Sequence, residues 1–410
     1  MSKRKSFVAL AASAVMAVGI IGLSANADDM KPFSVLNDGM DKIGAGKPMA
    51  DLGIKIGGFV EGSYTYNFRA PNSGQNEGRA FDSEHNAARL NQLALQIGKN
   101  VDIATITKSG KWDWGFGVDM LWGADGRSIH SNGLTRYSTT SHPINQYDLT
   151  QAYVDIAGPV GNGLVIRIGK FITPIGYEVI SPVATVLGGG GNNLFSHSYS
   201  FGFGIPFTHT GITATYKIND KMTVMAGITR GWEQSTRDVN GAIDFLGNVT
   251  YKPNDETTIA ANVSVGPQAA GNNSDYRYLV EAWASFVPAK SPLSYGVDAQ
   301  FAWEDNAALS GSTAYWWGAT GYVGYKLCDM ATLNGRVELF RDDGGSRLGV
   351  DGTYLEGTIG VTIKPMPKDK IGQNLIIRPE LRGDWCNKGA FNGGASKSQA
   401  TFGIDVVFSL

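Results

Sequence analysis

The sequence predicts an all-β protein: a transmembrane antiparallel up-and-down β-barrel of about sixteen strands, with roughly 14 to 18 as the range a single sequence allows. Three observations carry this expectation. Apolar and polar residues alternate with period two over segments longer than ordinary soluble strands, short and long connectors alternate between those segments, and an export signal opens the chain.

The bulk composition agrees. With 54 glycines, 10% aromatic and 42% hydrophobic residues in 410 positions, the chain suits strands and turns better than helical bundles. A mean hydropathy of −0.12 is too polar for a helical membrane protein but fits a barrel whose lipid-facing and lumen-facing residues cancel. A formal net charge of −2 leaves no basic footprint for nucleic acid.

At the N-terminus, Lys3, Arg4 and Lys5 precede an apolar run from Phe7 to Leu23 and then Ser24-Ala25-Asn26-Ala27. Charged region, apolar region and small-residue ending together read as a signal peptide over residues 1–27, cleaved after Ala27. An uncleaved anchor is the lesser reading, because the run is short and is followed by the cleavage pattern. No later stretch reaches the roughly 18 apolar residues of a spanning helix, so a membrane crossing must be a closed barrel, assigned to residues 53–410. Residues 28–52, helix-compatible from Phe33 to Ile43, are read as a periplasmic segment or a partial plug.

Alternation is clearest in residues 54–68, where Ile54, Ile56, Val60, Tyr64, Tyr66 and Phe68 oppose Lys55, Glu61, Ser63, Thr65 and Asn67. Segment 111–120 sets Trp112, Trp114, Phe116, Val118 and Met120 against Lys111, Asp113 and Asp119. Segments 164–170 and 331–339 repeat the pattern, with Arg167 and Lys170, and then Asn334, Arg336 and Glu338, on polar faces. Tight connectors such as Asn219-Asp220 and Pro253-Asn254-Asp255 alternate with long ones at 71–87, 123–146 and 172–208. Short periplasmic turns and long extracellular loops are the expected organisation, with both termini periplasmic. A soluble sandwich would also alternate. Charged strand faces, aromatics near segment ends and an apolar last strand (Phe402, Ile404, Val406, Phe408, Leu410) favour lipid.

Residues 164–182 (LVIRIGKFITPIGYEVISP) and 195–233, with SHSYSF at Ser196–Phe201 and PFTHTG at Pro206–Gly211, resemble the OmpL-like outer-membrane β-barrel porin family, porin-2. The stretch Ala184–Gly191 (ATVLGGGG) departs from it. The resemblance implies an outer-membrane porin giving passive diffusion of small hydrophilic solutes or ions; it brings no residue roles. Lipid is the implied surrounding, and a homotrimer is a candidate assembly.

The loop 172–208 is the longest, third on the extracellular side, and is read by analogy as a constriction. Its one acid, Glu178, is expected to face wall cations among Arg167, Lys170, Arg336, Arg378 and Arg382, setting up a transverse field. An equally weighted alternative pairs those arginines with wall acids Glu338, Glu356, Glu380 and Asp384. Tyr177, Phe195, Tyr199, Phe201 and Phe203 suit either a sugar track or, more readily, a packed loop core. Trp316 and Tyr322 are better track candidates.

No enzyme is expected. His85, His130, His142, His197 and His209 fall in or beside loops outside H-E-x-x-H or G-x-S-x-G contexts, and no metal or cofactor is implied. A barrel hydrolase or an adhesive surface barrel are the alternatives. Cys328 and Cys386 are assigned to opposite rims and expected free.

Overall fold

The computed structural model describes residues 34–134 and 144–410; the expected cleavage site after Ala27 and His142 lie outside them. In chain order the strands are β1 (Lys55–Asn67), β2 (Ala87–Lys99), β3 (Asp113–Gly123), β4 (Gln146–Gly158), β5 (Leu164–Ile172), β6 (Thr208–Asn219), β7 (Met222–Thr229) and β8 (Asp244–Asn254). They continue as β9 (Thr257–Pro267), β10 (Tyr276–Phe286), β11 (Leu293–Glu304), β12 (Ala314–Cys328), β13 (Ala331–Asp343), β14 (Gly352–Ile363), β15 (Leu375–Cys386) and β16 (Ser398–Ser409). Each pairs antiparallel with its sequence neighbours, and β1 closes on β16, with Tyr64 opposite Ile404. Closure leaves no edge, so the backbone groups at membrane depth find partners in the ladder.

The alternation read from sequence sets the two faces. On β3, Gly115, Gly117, Asp119 and Leu121 are buried inside, while Trp114 and Trp122 are exposed outside. Exposed apolar side chains continue round the wall, among them Val297, Leu381 and Val337, the last 66% exposed. Such a band, unpartnered in water, is what lipid covers. Aromatics gather at both ends: Trp114, Phe286 and Tyr325 at the rim carrying the termini, and Tyr66, Trp122 and Trp385 at the opposite rim.

Two bulges change the parity of the inner face. Glu61 pairs with Gln92 and Gly62 with Leu90, leaving Asn91 as an extra residue, so the inner face of β2 passes from Arg89 and Asn91 to Gln92, Ala94 and Gln96. On β4, Thr150 is extra in the same way, between Asp119↔Gln151 and Met120↔Leu149.

Connectors are mostly short at the terminal rim and longer at the other, with two exceptions at the terminal rim, 100–112 and 364–374. The terminal-rim connector 100–112 holds a helix, α3 (Ile103–Ser109), capped by Asp102, whose Ile103 and Ile106 pack with Val101 on Ala157 and Val165. Ahead of the barrel, α1 (Val35–Lys42) and α2 (Gly46–Asp51) bury no residue. The Ser34 hydroxyl donates to the Leu410 carbonyl at 3.3 Å, which ties the start of this segment to the end of the chain at the terminal rim.

Candidate pore constriction

The third long loop, residues 173–207, folds back inside the barrel. Its aromatics form its own core: Phe195, Tyr199 and Phe201 are buried, and the Tyr199 ring lies 5.2 Å from that of Tyr354 and 6.1 Å from that of Phe340 on the inner wall. An inward loop carries backbone groups that no ladder satisfies, and burying them unpaired is costly. The wall supplies the partners. Glu338 on β13 accepts the amides of Tyr199 at 2.6 Å and Ser200 at 2.7 Å, and Glu380 on β15 accepts those of Phe195 at 2.8 Å and Ser196 at 3.1 Å. Asp298 on β11 accepts the Tyr177 amide at 2.8 Å.

Arginines hold the carbonyls. Arg336 donates to Ser196 O at 2.6 Å, Arg378 to Asn192 O at 2.6 Å and Leu194 O at 3.2 Å, and Arg382 to His197 O. Each is anchored behind by wall acids: Arg336 by Glu356 at 3.0 Å, Arg378 by Asp405 and Glu61, Arg382 by Asp384 at 2.8 Å. A guanidinium's five donors let one side chain serve a carboxylate and a carbonyl together. The first loop adds Arg79, whose Nη2 reaches Asp384 at 2.6 Å.

Glu178 meets Arg336 at 2.9 Å, as the sequence suggested, and also accepts the Ser198 amide at 2.9 Å and the Tyr322 hydroxyl at 3.2 Å. Burial pushes its carboxyl up, and the Arg336 guanidinium, with His197 nearby, brings it below the usual range. His197 itself is buried among Phe81 and Phe201, and burial pushes it down to about 4.

Deeper still, Val183 packs with Phe59, Ala94 and Val407, an apolar patch on the inner wall near the terminal rim. The excursion Ala184–Gly190 continues to the rim, where a Cβ on Gly57 would lie 2.5 Å from Val186 and one on Gly98 2.4 Å from Leu187. A side chain at either glycine would push Val186 or Leu187 aside. The stretch that departs from the family pattern is therefore the deepest part of the loop.

The other expected site residues are placed differently. Arg167 does not face Glu178. It forms a two-pronged pair with Asp155, directly opposite on β4, at 2.8 Å for each bond, and its guanidinium lies 3.6 Å from the centre of the Tyr153 ring. Its side chain is 32% exposed beside a cavity of about 70 Å³ lined also by Thr213, Thr215 and Met225. Lys170 is buried on Asp148 at 2.7 Å. Glu338 and Glu380, expected as ion-pair partners of the arginines, hold loop amides instead. Trp316 and Tyr322 are on the inner face as expected, but neither is an open stacking surface: Trp316 is fully buried and donates to Gly204 O at 3.0 Å, and the Tyr322 ring lies 4.4 Å from that of Tyr177. Sequence reasoning missed Glu61, Asp298, Asp405 and the Phe59 patch. A signal existed, because Phe59, Phe340, Tyr354 and Val407 are apolar residues on polar registers.

A comparison with curated protein sequences finds no match. Among solved structures, the outer membrane channel DcaP of Acinetobacter baumannii is similar, at a TM-score of 0.55 and 11% identity over 87% of this chain and 97% of that one. The anion-selective porin from Comamonas acidovorans gives 0.54 and 11% over 87% and 99%, and Pseudomonas putida OprB gives 0.53 and 13% over 90% and 97%. These likenesses show the fold. The family model for beta-barrel porin-2, OmpL-like proteins matches residues 53–410, the entire barrel, and the chain belongs to that family of outer-membrane porins.

Proposed function

We propose that this porin lets small hydrophilic solutes diffuse passively and that residues 172–208 set its narrowest section. The observation that carries the reading is the clamp itself: loop backbone from Asn192 to Ser200 is tied to inner-wall side chains on β13 and β15 through both its amides and its carbonyls. A loop held in this way narrows the lumen in a fixed place; Arg336, Arg378, Arg382 and Glu338 act as its socket, and Glu178 of the loop rests on Arg336. Arg167 and Lys170 belong to the wall on the other side. Passage needs no bond-making chemistry, so the protein is read as a non-enzymatic channel. Proteoliposome swelling tests it: uptake should fall steeply with sugar size, and equal exclusion of the smallest sugars and the largest would contradict a diffusion pore.

On the same reading residues 1–27 are an export signal, residues 28–52 lie in the periplasm with both termini, and the long loops face outward. A membrane-impermeant thiol label on intact cells should reach Ser73→Cys and spare Asn219→Cys; the reverse pattern would invert the orientation. Vibrio cholerae OmpT, at a TM-score of 0.52 and 11% identity, is described in a trimer form, and a homotrimer in lipid is our proposal here.

A further inference from the structure

Charge is distributed unequally between the parts of the lumen that water reaches and those it does not. Every strand acid on an inner-face register except Asp113 is buried, from Glu61 on β1 to Asp405 on β16. Many are consumed by the loop clamp and its arginines, and Asp155 is consumed by Arg167. Asp113, at the rim, is held by Lys99. A permeating ion therefore meets few free carboxylates on the wall.

Apart from Asp113, the water-reaching charges on the same registers are cationic. Lys217 on β6 stands opposite Thr223, and Lys252 follows Thr250 along the inner face of β8. Lys326 on β12 stands opposite Thr332, and Lys364 extends the inner face of β14 beyond Thr362. All four lie at the terminal rim, and none is in the buried set. Among the described residues, Lys252 and Lys364 have no carboxylate partner, and the charged neighbour acting on Lys364 is another cation, Lys326. Lys217 and Lys326 do pair, at 2.7 and 3.0 Å, but with turn acids Asp220 and Asp329 that are 96% and 73% exposed, where solvent screens most of the attraction. The turn acid Glu256 is engaged by the Ala289 amide at 2.9 Å. At the opposite rim Arg127 pairs with Glu84 at 3.2 Å and Arg341 with Asp351 at 2.6 Å.

We propose that Lys217, Lys252, Lys326 and Lys364 form a cationic vestibule at the terminal rim that makes the pore prefer small anionic solutes, such as carboxylates and inorganic anions, over cations. An ion in the mouth responds to charges within roughly one Debye length, about 8 Å at physiological salt, and buried, paired acids contribute little to that field. Anions are thereby concentrated at the mouth and cations depleted. Arg167, half-open beside Thr213 and Thr215, continues the same sign further in.

This inference rests on the diffusion-pore reading, and one set of recordings separates the two. In planar bilayers under a potassium chloride gradient, the full-length barrel should give a reversal potential showing chloride preferred over potassium, with the preference shrinking as salt is raised. The triple variant Lys217→Gln, Lys252→Gln, Lys364→Gln should lower the chloride-to-potassium permeability ratio by roughly twofold or more, while Lys388→Gln on the opposite rim should not move it. Heat-resistant migration on gels establishes that each variant has folded. A conducting pore that prefers potassium, or a folded triple variant with an unchanged ratio, overturns the vestibule and leaves the pore reading standing. A folded barrel that never conducts overturns both.

Discussion

Replacing Glu338 by glutamine should loosen the third loop while leaving the barrel closed. The native carboxylate accepts two adjacent amides, Tyr199 at 2.6 Å and Ser200 at 2.7 Å. Hydrogen bonds to a charged group contribute about 1.5–3 kcal/mol each. Glutamine keeps one acceptor oxygen and turns an NH₂ towards the other amide, so one bond is lost and the survivor loses its charge assistance. The expected local cost is about 1.5–3 kcal/mol, and with about 1.4 kcal/mol per factor of ten this is a roughly 10- to 100-fold gain in the open population. Hydrogen–deuterium exchange of the purified barrel reads it at the Tyr199 and Ser200 amides. The ladder of β13 with β12 and β14 is backbone to backbone, so exchange there should not change. Unaltered protection at Tyr199 and Ser200 would refute the clamp.

Three further expectations follow from the same geometry. Val118→Arg, on the outer face of β3, should destabilise the barrel by about 2–4 kcal/mol in a detergent or urea titration if the site is near the midplane, whereas Asp119→Asn, turned inward, should fold; equal tolerance would mean β3 does not cross lipid. Purified protein should give two free thiols, Cys328 alkylating in the native state because it is exposed and Cys386 only after unfolding because it is buried; a Cys328–Cys386 disulfide peptide would break the rim assignment. His197 is held neutral by burial, its pKa falling from 6.5 to about 4, so an opened loop binds a proton that the packed loop does not. Loop packing should be fully stable above about pH 6.5 and weaken as pH falls towards 4, seen as rising exchange across residues 195–201; pH-independent protection would contradict this.

Most of the wall was legible in the sequence because period-two alternation fixes which face each side chain takes, and sixteen strands with nearly the expected bounds resulted. The faces of Trp316, Tyr322, Arg336 and Glu338 were read correctly for that reason. What alternation cannot supply is the partner across the lumen. The Arg167–Asp155 pair depends on the register of β4 against β5, which sets the two residues directly opposite and which alternation within either strand does not fix. Glu338 and Glu380 look like ion-pair acids until a loop more than a hundred residues away in sequence brings amides to them. Helix α3 lies in a connector on the rim where short turns were expected. The residues that broke the pattern were the informative ones: an apolar Phe59 or Val407 on a polar register requires something apolar inside the barrel, and Val183 is that partner.

The central claim, that an inward third loop narrows a diffusion pore, is tested most directly by single-channel conductance of the barrel with and without Ala184–Gly191. The deletion is geometrically mild, since a Cβ on Gly191 would lie 2.5 Å from the Val183 Cα and the flanking chain is already adjacent. It removes the excursion that fills the space beside Gly57 and Gly98 while leaving the strand ladder and the clamp on Asn192–Ser200 in place. The account predicts a larger unit conductance from a barrel that still folds to a heat-resistant form. An unchanged conductance from the folded deletion variant would contradict it.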